Sequence, residues 1–240
     1  MRKKWMCVIA PLMLAVTLLA SGVASAGDLV VGFRGFYGFA GGSTDDPGKT
    51  GDIGSSVGGG LSVQYYFITK GRMNLGLASG LDYVHLRYDS ESTLNTSSVP
   101  GIPYDTALNA QTSYSYLTVP LTIRALYAIN EKLALTADAG AFLGLFLGGK
   151  SNNDYTPETP LLGITDGVED LNKDTTESMD IGLRFAAGLA MDVSKKLKLT
   201  PGILFDLGLK DTSKDQQLVT PSKDTFWKLT GMVTFVYELF

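Results

Sequence analysis

The chain has one histidine, and the residues around it are the first candidates for catalysis. His85 lies close in sequence to Asp82 and Asp89, and Ser79 shares its position in an alternating pattern. A serine hydrolase needs the serine within hydrogen-bond reach of a histidine base. Ser79 and His85 are separated by six positions on one extended segment, which is about 20 Å at 3.3 Å per residue. A serine from another strand, such as Ser115, would have to be the nucleophile, and we therefore assign no catalytic residues.

Metal and cofactor chemistry is equally poorly supported. The single cysteine, Cys7, and the single histidine exclude a Cys/His zinc site and a disulfide scaffold. An acidic segment, 166–174, offers oxygen ligands for calcium, but its spacing does not match the EF-hand pattern. We expect a solvated acidic loop there, with no metal site and no cofactor.

Charged residues in the middle of alternating segments are more informative. They fall on the polar side of the alternation, which predicts that they share one face of a sheet. Counted from the turns between segments, Arg124 lies nearly opposite Asp138, and Arg184 lies nearly opposite Asp206. We expect a structural network of ion pairs formed by Arg34, Asp82, Arg124, Asp138, Arg184 and Asp206, with Lys228 and Glu238 added by the last segment.

Alternation of apolar and polar residues with a period of two defines the elements that carry these charges. Of the 240 residues, 45% are hydrophobic, 18% are charged and 28 are glycine, which disfavours both a disordered chain and a helix bundle. No stretch after residue 26 holds the ~18 consecutive apolar residues of a transmembrane helix. The pattern predicts eight strands, at 29–39, 57–67, 75–83, 116–127, 133–145, 181–191, 197–207 and 227–239.

The connections between these strands alternate in length. Tight polar turns are predicted at Lys70-Gly71, Asn130-Glu131 and Ser194-Lys195. Short turns at one end and long loops at the other, with an even strand count, are typical of an outer-membrane barrel. We therefore predict an all-β fold, an eight-stranded antiparallel up-and-down transmembrane β-barrel. The predicted long loops, rich in Gly, Pro, Ser, Asn and Asp, are 42–54, 90–112, 149–177 and 211–223.

The outward face of such a barrel should be apolar, with aromatic residues near both membrane surfaces. The predicted outward stripe is mostly Leu, Val, Ala and Ile, which would contact water in a soluble barrel. High β-propensity alone also enriches Tyr and Phe in strands. The two predicted girdles are Tyr65, Phe67, Tyr127 and Tyr237 near the short turns, and Tyr37, Phe39, Tyr83 and Trp227 near the long loops.

The first 26 residues have the pattern of an export signal. Arg2, Lys3 and Lys4 precede an apolar run, and Ala24-Ser25-Ala26 supplies a small-residue cleavage pattern. We expect residues 1–26 to be a signal peptide and residues 27–240 to form the barrel domain. Cleavage would remove three of the 20 basic residues and none of the 24 acidic ones, so nucleic acid is not an expected partner.

Two runs of the chain resemble a known family. Residues 116–121 (YLTVPL) and 138–144 (DAGAFLG), with the later Asp180-Ile181-Gly182-Leu183, resemble the core of the PorT-like outer-membrane β-barrel family. The C-terminal Phe240 is similar to the terminal aromatic residue that outer-membrane assembly machinery reads. The resemblance implies a bacterial outer-membrane location and this fold, but it says little about function.

Three functions remain open at this point. An eight-stranded lumen is narrow enough for side chains to fill it, so we expect a plugged barrel. It would act as a structural or surface-interaction platform in contact with outer-membrane lipids, with an extracellular or envelope protein partner bound through the long loops. The alternatives are an envelope lipid-modifying enzyme and, less favoured because it needs a wider lumen, a small porin.

Overall fold

The fold was examined in a computed structural model, which describes residues 28–44, 53–94, 106–156, 166–171, 178–210 and 224–239. The predicted signal peptide and Phe240 lie outside these residues. No described residue belongs to a helix long and apolar enough to cross a membrane. The described strands are β1 (Asp28–Thr44), β2 (Ile53–Lys70), β3 (Met73–Leu94), β4 (Thr106–Ala128), β5 (Leu133–Thr156), β6 (Gly167–Leu171), β7 (Met179–Asp192), β8 (Leu197–Gly208) and β9 (Asp224–Glu238).

Eight of these strands close into a ring, as predicted. Each pairs in antiparallel register with its neighbours in the order β4-β3-β2-β1-β9-β8-β7-β5, and β4 pairs with β5 to complete the circle. The first and last strands of the ring are joined along their length, from Val30 opposite Glu238 to Thr44 opposite Asp224. The fold class is therefore a closed eight-stranded antiparallel barrel.

The predicted alternation sets which side chains face the lumen. In β5, for example, Ala134, Thr136 and Asp138 are buried while Leu135 and Ala137 between them are exposed. Large apolar side chains cover the outside of the barrel, and several of the predicted girdle residues are among them. Those exposed by 44% or more include Tyr37, Phe39, Phe67, Tyr83, Tyr127 and Tyr237.

The three tight turns form where the sequence predicts them. Gly71 has a φ of 61°, a left-handed conformation that glycine adopts without strain. The side chain of Asn130 accepts hydrogen bonds from the backbone N–H groups of Lys132 and Leu133 at 2.9 and 3.0 Å. Ser194 accepts one from Leu197 N–H at 3.2 Å. These local bonds fix the register of each hairpin.

The predicted boundaries of two long loops are wrong. β3 and β4 continue to Leu94 and from Thr106, inside the predicted loop 90–112, and β5 continues to Thr156, inside the predicted loop 149–177. Polar Ser, Thr and Asn residues in these parts favour a loop prediction, but pairing with a neighbouring strand satisfies their backbone groups. We call these upper parts, with β6, the strand extension: residues 87–94, 106–115, 148–156 and 167–171.

A bulge marks the start of the strand extension on β5. Ser115 pairs with Gly148 and Tyr116 pairs with Phe146, so Leu147 has no partner residue on β4. Above this point the alternation shifts by one residue, so odd-numbered residues of β5 face inward. Ser151 is accordingly buried. Sequence alternation alone does not show this shift.

Candidate functional site: the filled lumen

A chain of five charged side chains crosses the middle of the lumen. Asp82 on β3 accepts hydrogen bonds from Arg34 Nε and Nη2 at 2.7 and 2.8 Å. It also accepts one at 2.8 Å from Nη1 of Arg184, which lies on β7 across the barrel. The other end of the Arg184 guanidinium donates to both oxygens of Asp206 at 2.7 Å. Lys228 Nζ completes the chain at 2.8 Å from Asp206.

This arrangement, the central charge network, follows from the alternation of the strands. Its members come from β1, β3, β7, β8 and β9, and all occupy even positions that face inward. Arg184 and Asp206 are also directly opposite each other in the β7–β8 pairing. Burial is nearly complete, with Asp82 at 0% and Arg184 and Asp206 at 2% exposure. Charge-assisted bonds compensate for the loss of water.

Glycine makes room for the long arginines. A methyl group at Gly80 would lie 3.2 Å from Arg34 Nη2, and one at Gly60 would lie 2.6 Å from Asp82 Oδ1. Both positions would also collide with backbone carbonyl oxygens of Leu61 or Leu81. The lumen is therefore packed closely around the central charge network.

A second, separate pair lies closer to the short turns. Arg124 Nε and Nη2 donate to the two oxygens of Asp138, both at 2.7 Å. The two residues are direct partners in the β4–β5 pairing, as the spacing from the intervening turn predicts. Both are buried, at 6% and 9% exposure. This bidentate pair adds a second polar layer to the lumen.

The two charges that the sequence assigns to the last strand, Lys228 and Glu238, lie in different parts of the lumen. Lys228 joins the central charge network, whereas Glu238 lies near the short-turn end and contacts Lys198. The sequence analysis names Asp180 only as part of a family-like run and does not count it among the lumen charges, but it is a buried carboxylate at the start of β7. Its even position, on the inward side of the alternation, was the signal that could have placed it in the lumen.

Apolar side chains fill the lumen above and below the charges. The lower group consists of Val30, Tyr66 and Val236. The larger upper group, the upper aromatic cluster, surrounds Tyr116 and Phe146, whose ring centroids are 5.7 Å apart. Its buried members are Phe36, Ala40, Val84, Leu86, Tyr116, Phe146, Leu204 and Met232, and Tyr88, Tyr114, Leu171 and Ala186 pack against them.

The histidine lies on the outside of the barrel. His85 and Ser115 are direct partners in the β3–β4 pairing, and His85 Nδ1 is 3.1 Å from Ser115 Oγ. The hydroxyl of Tyr83 lies 3.0 Å from the same Ser115 oxygen. Ser79 makes no contact with His85 and instead donates to the backbone carbonyl of Pro120 at 2.7 Å. Among the described residues, no carboxylate contacts the His85 ring.

The acidic segment of the third loop is only partly described. Asp166 accepts a hydrogen bond from the backbone N–H of Tyr155 at 2.7 Å. Glu169 and Asp170 belong to β6, opposite Ser151 and Lys150 of β5. The expected loop is therefore wrong for residues 167–171, because pairing with β5 makes them a strand of the strand extension.

Several solved structures align with most of this chain at low sequence identity. The Neisserial surface protein A is 13% identical and has a TM-score of 0.44 over 88% of this chain and 97% of that one. The Escherichia coli outer membrane protease OmpT is 10% identical, with a TM-score of 0.43 over 89% and 96%. The attachment invasion locus protein Ail of Yersinia pestis is 11% identical, with a TM-score of 0.33 over 88% and 97%.

No family model matches the chain, and no curated protein matches it. The barrel fold stands on the strand pairing itself. The resemblances to solved structures do not assign a function.

Proposed function

We propose that this chain is an integral outer-membrane β-barrel protein with a plugged lumen that acts as a structural or surface-interaction platform. The outward face supports the membrane location, because exposed Phe, Leu, Ile and Val side chains surround the barrel. Such a surface is stable in lipid and costly in water. Phe33 and Phe235, stacked at 5.1 Å, lie in the middle of this band.

The observation that carries the plug is the central charge network. It links β3 to β7 across the lumen through Arg184, and apolar layers close the space on both sides. Two cavities in the described part of the lumen have volumes of about 30 Å³ each. A continuous water column needs a wider interior than eight strands enclose. This favours the plug over the small porin.

The strand extension supports the platform. A tilted strand crosses a bilayer in about 9–11 residues, whereas β3, β4 and β5 have 22, 23 and 24 residues. Their upper parts carry polar side chains such as Gln111, Lys150 and Asn152, and β6 adds Glu169 and Asp170. A raised polar sheet of this kind is suited to bind an extracellular or envelope protein partner.

Planar bilayers provide the test of the plug. Purified protein reconstituted in them should show no stable ion conductance, because paired charges and apolar layers block the lumen. A single-channel recording at several voltages measures this directly. Channels of reproducible size in the wild-type protein would contradict the plug and favour the porin.

The orientation of the barrel can be tested with introduced cysteines. Cys7, the single native cysteine, lies in the proposed signal peptide. A cysteine introduced at Asn152 in the strand extension should react with an impermeant thiol reagent on intact cells. A cysteine at Lys195 in the β7–β8 turn should not react until the cells are permeabilised. Both side chains are exposed, so access to the reagent differs only by side of the membrane. Equal labelling of the two would contradict the orientation.

The proposal also covers export and assembly. We propose that the chain is cleaved after Ala26, that the assembly machinery recognises Phe240, and that the chain belongs to the PorT-like family. The family resemblance rests on 116–121 and 138–144, which lie in the adjacent strands β4 and β5. Outer-membrane lipids would contact the apolar outward face of the barrel.

A lipid-modifying enzyme is the second candidate, and the contact between His85 and Ser115 favours it. Ser115 Oγ would attack an ester carbonyl while His85 accepts its proton, and the proton would then leave with the departing alcohol. Water would hydrolyse the acyl-serine and restore the hydroxyl. Within the described residues, the ring lacks the carboxylate that orients the histidine in a triad. For this reason we propose the platform first.

Replacing Ser115 or His85 by alanine decides between the two candidates. We expect an unchanged envelope lipid profile in both variants, measured by mass spectrometry at equal protein level. Ser113→Ala is the matched control, because Ser113 lies two residues away on the same strand and its hydroxyl donates to the backbone carbonyl of Lys150. A change in lipid acylation with Ser115→Ala and His85→Ala, absent from the control, would establish the enzyme.

A further inference from the structure

The plug leaves a cavity of about 30 Å³ between the central charge network and the upper end of the lumen. Tyr116, Thr118 and Asp180 line this space, which we call the mouth cavity, together with Lys228 and Trp227. Tyr116 and Thr118 are 4% exposed and Asp180 is 8% exposed. Each of the three has an oxygen without a hydrogen-bond partner among the described residues, namely Tyr116 OH, Thr118 Oγ1 and Asp180 Oδ1.

Three such oxygens around one cavity need an explanation. Buried polar atoms in folded proteins are nearly always hydrogen-bonded, and each exception destabilises the fold. The other buried charges of the lumen are paired at 2.7–2.8 Å. Ser56 Oγ and Ser62 Oγ also lack a partner among the described residues. At the mouth cavity, however, three such oxygens, one of them a carboxylate oxygen, surround a single space, which indicates a group that enters it from outside the chain.

The charges around the mouth cavity favour a neutral group. Asp180 would repel an anion, while Lys228, which also lines the cavity, would repel a cation. Lys228 belongs to the central charge network, whose three cations and two carboxylates leave a formal charge of +1 that the Asp180 carboxylate balances. A neutral group adds no charge to either the cations or the carboxylates around the mouth cavity.

A hydroxyl group complements the three oxygens. It has one hydrogen to donate to Asp180 Oδ1 and two lone pairs to accept from the hydroxyls of Tyr116 and Thr118. One water needs about 10–15 Å³, so the mouth cavity has room for about two non-hydrogen atoms. Apolar walls, including Val84 and Phe142, would contact a methylene carbon next to the hydroxyl. The fitting group is a hydroxymethyl.

Aromatic rings lie where the rest of such a ligand would be. Phe226 lines the mouth cavity and also contacts Tyr88 and Tyr114, with ring centroids 5.4 Å from each. Tyr88 and Tyr114 are themselves stacked at 5.5 Å. All three rings are partly exposed, so an apolar face of a ligand can reach them.

We propose that the mouth cavity binds the hydroxymethyl group of a neutral sugar, with the sugar ring against Tyr88, Tyr114 and Phe226. The direction of entry rests on the proposed function, because the upper end of the lumen must face the outside of the cell. The binding itself does not depend on orientation and is measured on purified protein.

Isothermal titration calorimetry on the purified protein measures binding directly, because it needs no reporter side chain in the mouth cavity. The indole of Trp227 lies against Gly41 of β1, so its fluorescence is not used as the signal. Four probes differ only at the sixth carbon: glucose, 6-amino-6-deoxyglucose, glucuronate, and xylose, which lacks the group. Glucose should give a saturable heat of binding and bind more tightly than the other three by at least about tenfold, because each loses the fitting group or adds a charge.

Variants connect this signal to the unpaired oxygens. Asp180→Asn and Tyr116→Phe should each weaken glucose binding by about tenfold, while Asp192→Asn, at the opposite end of β7, should not. A heat-modifiable gel shift checks that each variant folds, and Tyr116→Phe keeps the ring if Asp180→Asn fails to fold. No saturable signal, equal responses to all four probes, or unaltered binding in both variants would overturn the proposal and indicate that water alone fills the cavity.

Discussion

Replacing Asp82 by alanine should lower the free energy of unfolding by about 3–5 kcal/mol, because a buried ionic network loses its shared anion. Arg34 loses both of its bonds to Asp82, and Arg184 loses one of its three bonds to carboxylates. The guanidiniums of Arg34 and Arg184 then lose the carboxylate between them, at a position that is fully buried in the native barrel. Urea unfolding of the barrel in lipid vesicles, followed by the heat-modifiable gel shift, measures the loss.

Asp192 provides the control for this experiment. Its carboxylate is 37% exposed and lies 3.8 Å from Lys198 Nζ, so it is a surface partner. Asp192→Ala should cost no more than about 1 kcal/mol. If Asp82→Ala unfolds at the urea concentration of the control, the central charge network does not stabilise the barrel.

The contribution of the Arg124–Asp138 pair to the stability of the barrel can be measured by reversing its charges. Asp138→Ala leaves the buried Arg124 without its bidentate partner and should cost about 3–5 kcal/mol, or less where lumen water reaches the guanidinium. Arg124→Asp alone places two carboxylates opposite each other and should be at least as harmful. Both effects appear as a lower temperature for the gel shift of the folded barrel.

Combining Arg124→Asp with Asp138→Arg should recover part of the stability. The two positions are direct partners across β4 and β5, so the reversed side chains still meet with opposite signs. The comparison needs the two single reversals measured alongside the double. A double variant whose loss equals the sum of the single losses would show that the two residues do not interact.

The sequence predicts some contacts of the lumen better than others, for geometric reasons. Arg124 and Asp138 each lie seven residues from Glu131 in the tight turn, so the hairpin is enough to place them opposite each other. The bond between Arg184 and Asp82 joins strands that are not neighbours. Its prediction requires the diameter and tilt of the closed barrel, which alternation does not contain.

The strand extension and the mouth cavity were missed for a different reason. Residues such as Asn109, Gln111 and Asn152 have low β-propensity, and they become strands only because a neighbouring chain segment pairs with them. The unpaired oxygens of Tyr116, Thr118 and Asp180 come from three positions on two strands whose closeness depends on the fold. Polar residues on the lumen side are visible in the sequence, but their lack of partners is not.

The pairing of β1 with β9 sets the order of events during folding. β1 is the first described strand to leave the ribosome and β9 is the last, so one edge of β1 has no partner until the end of synthesis. An unpaired strand edge readily joins another chain, and contacts so distant in sequence form slowly. The growing polypeptide must therefore be kept from self-association over nearly its whole length, so this topology requires an escort that binds the chain until β9 has been made.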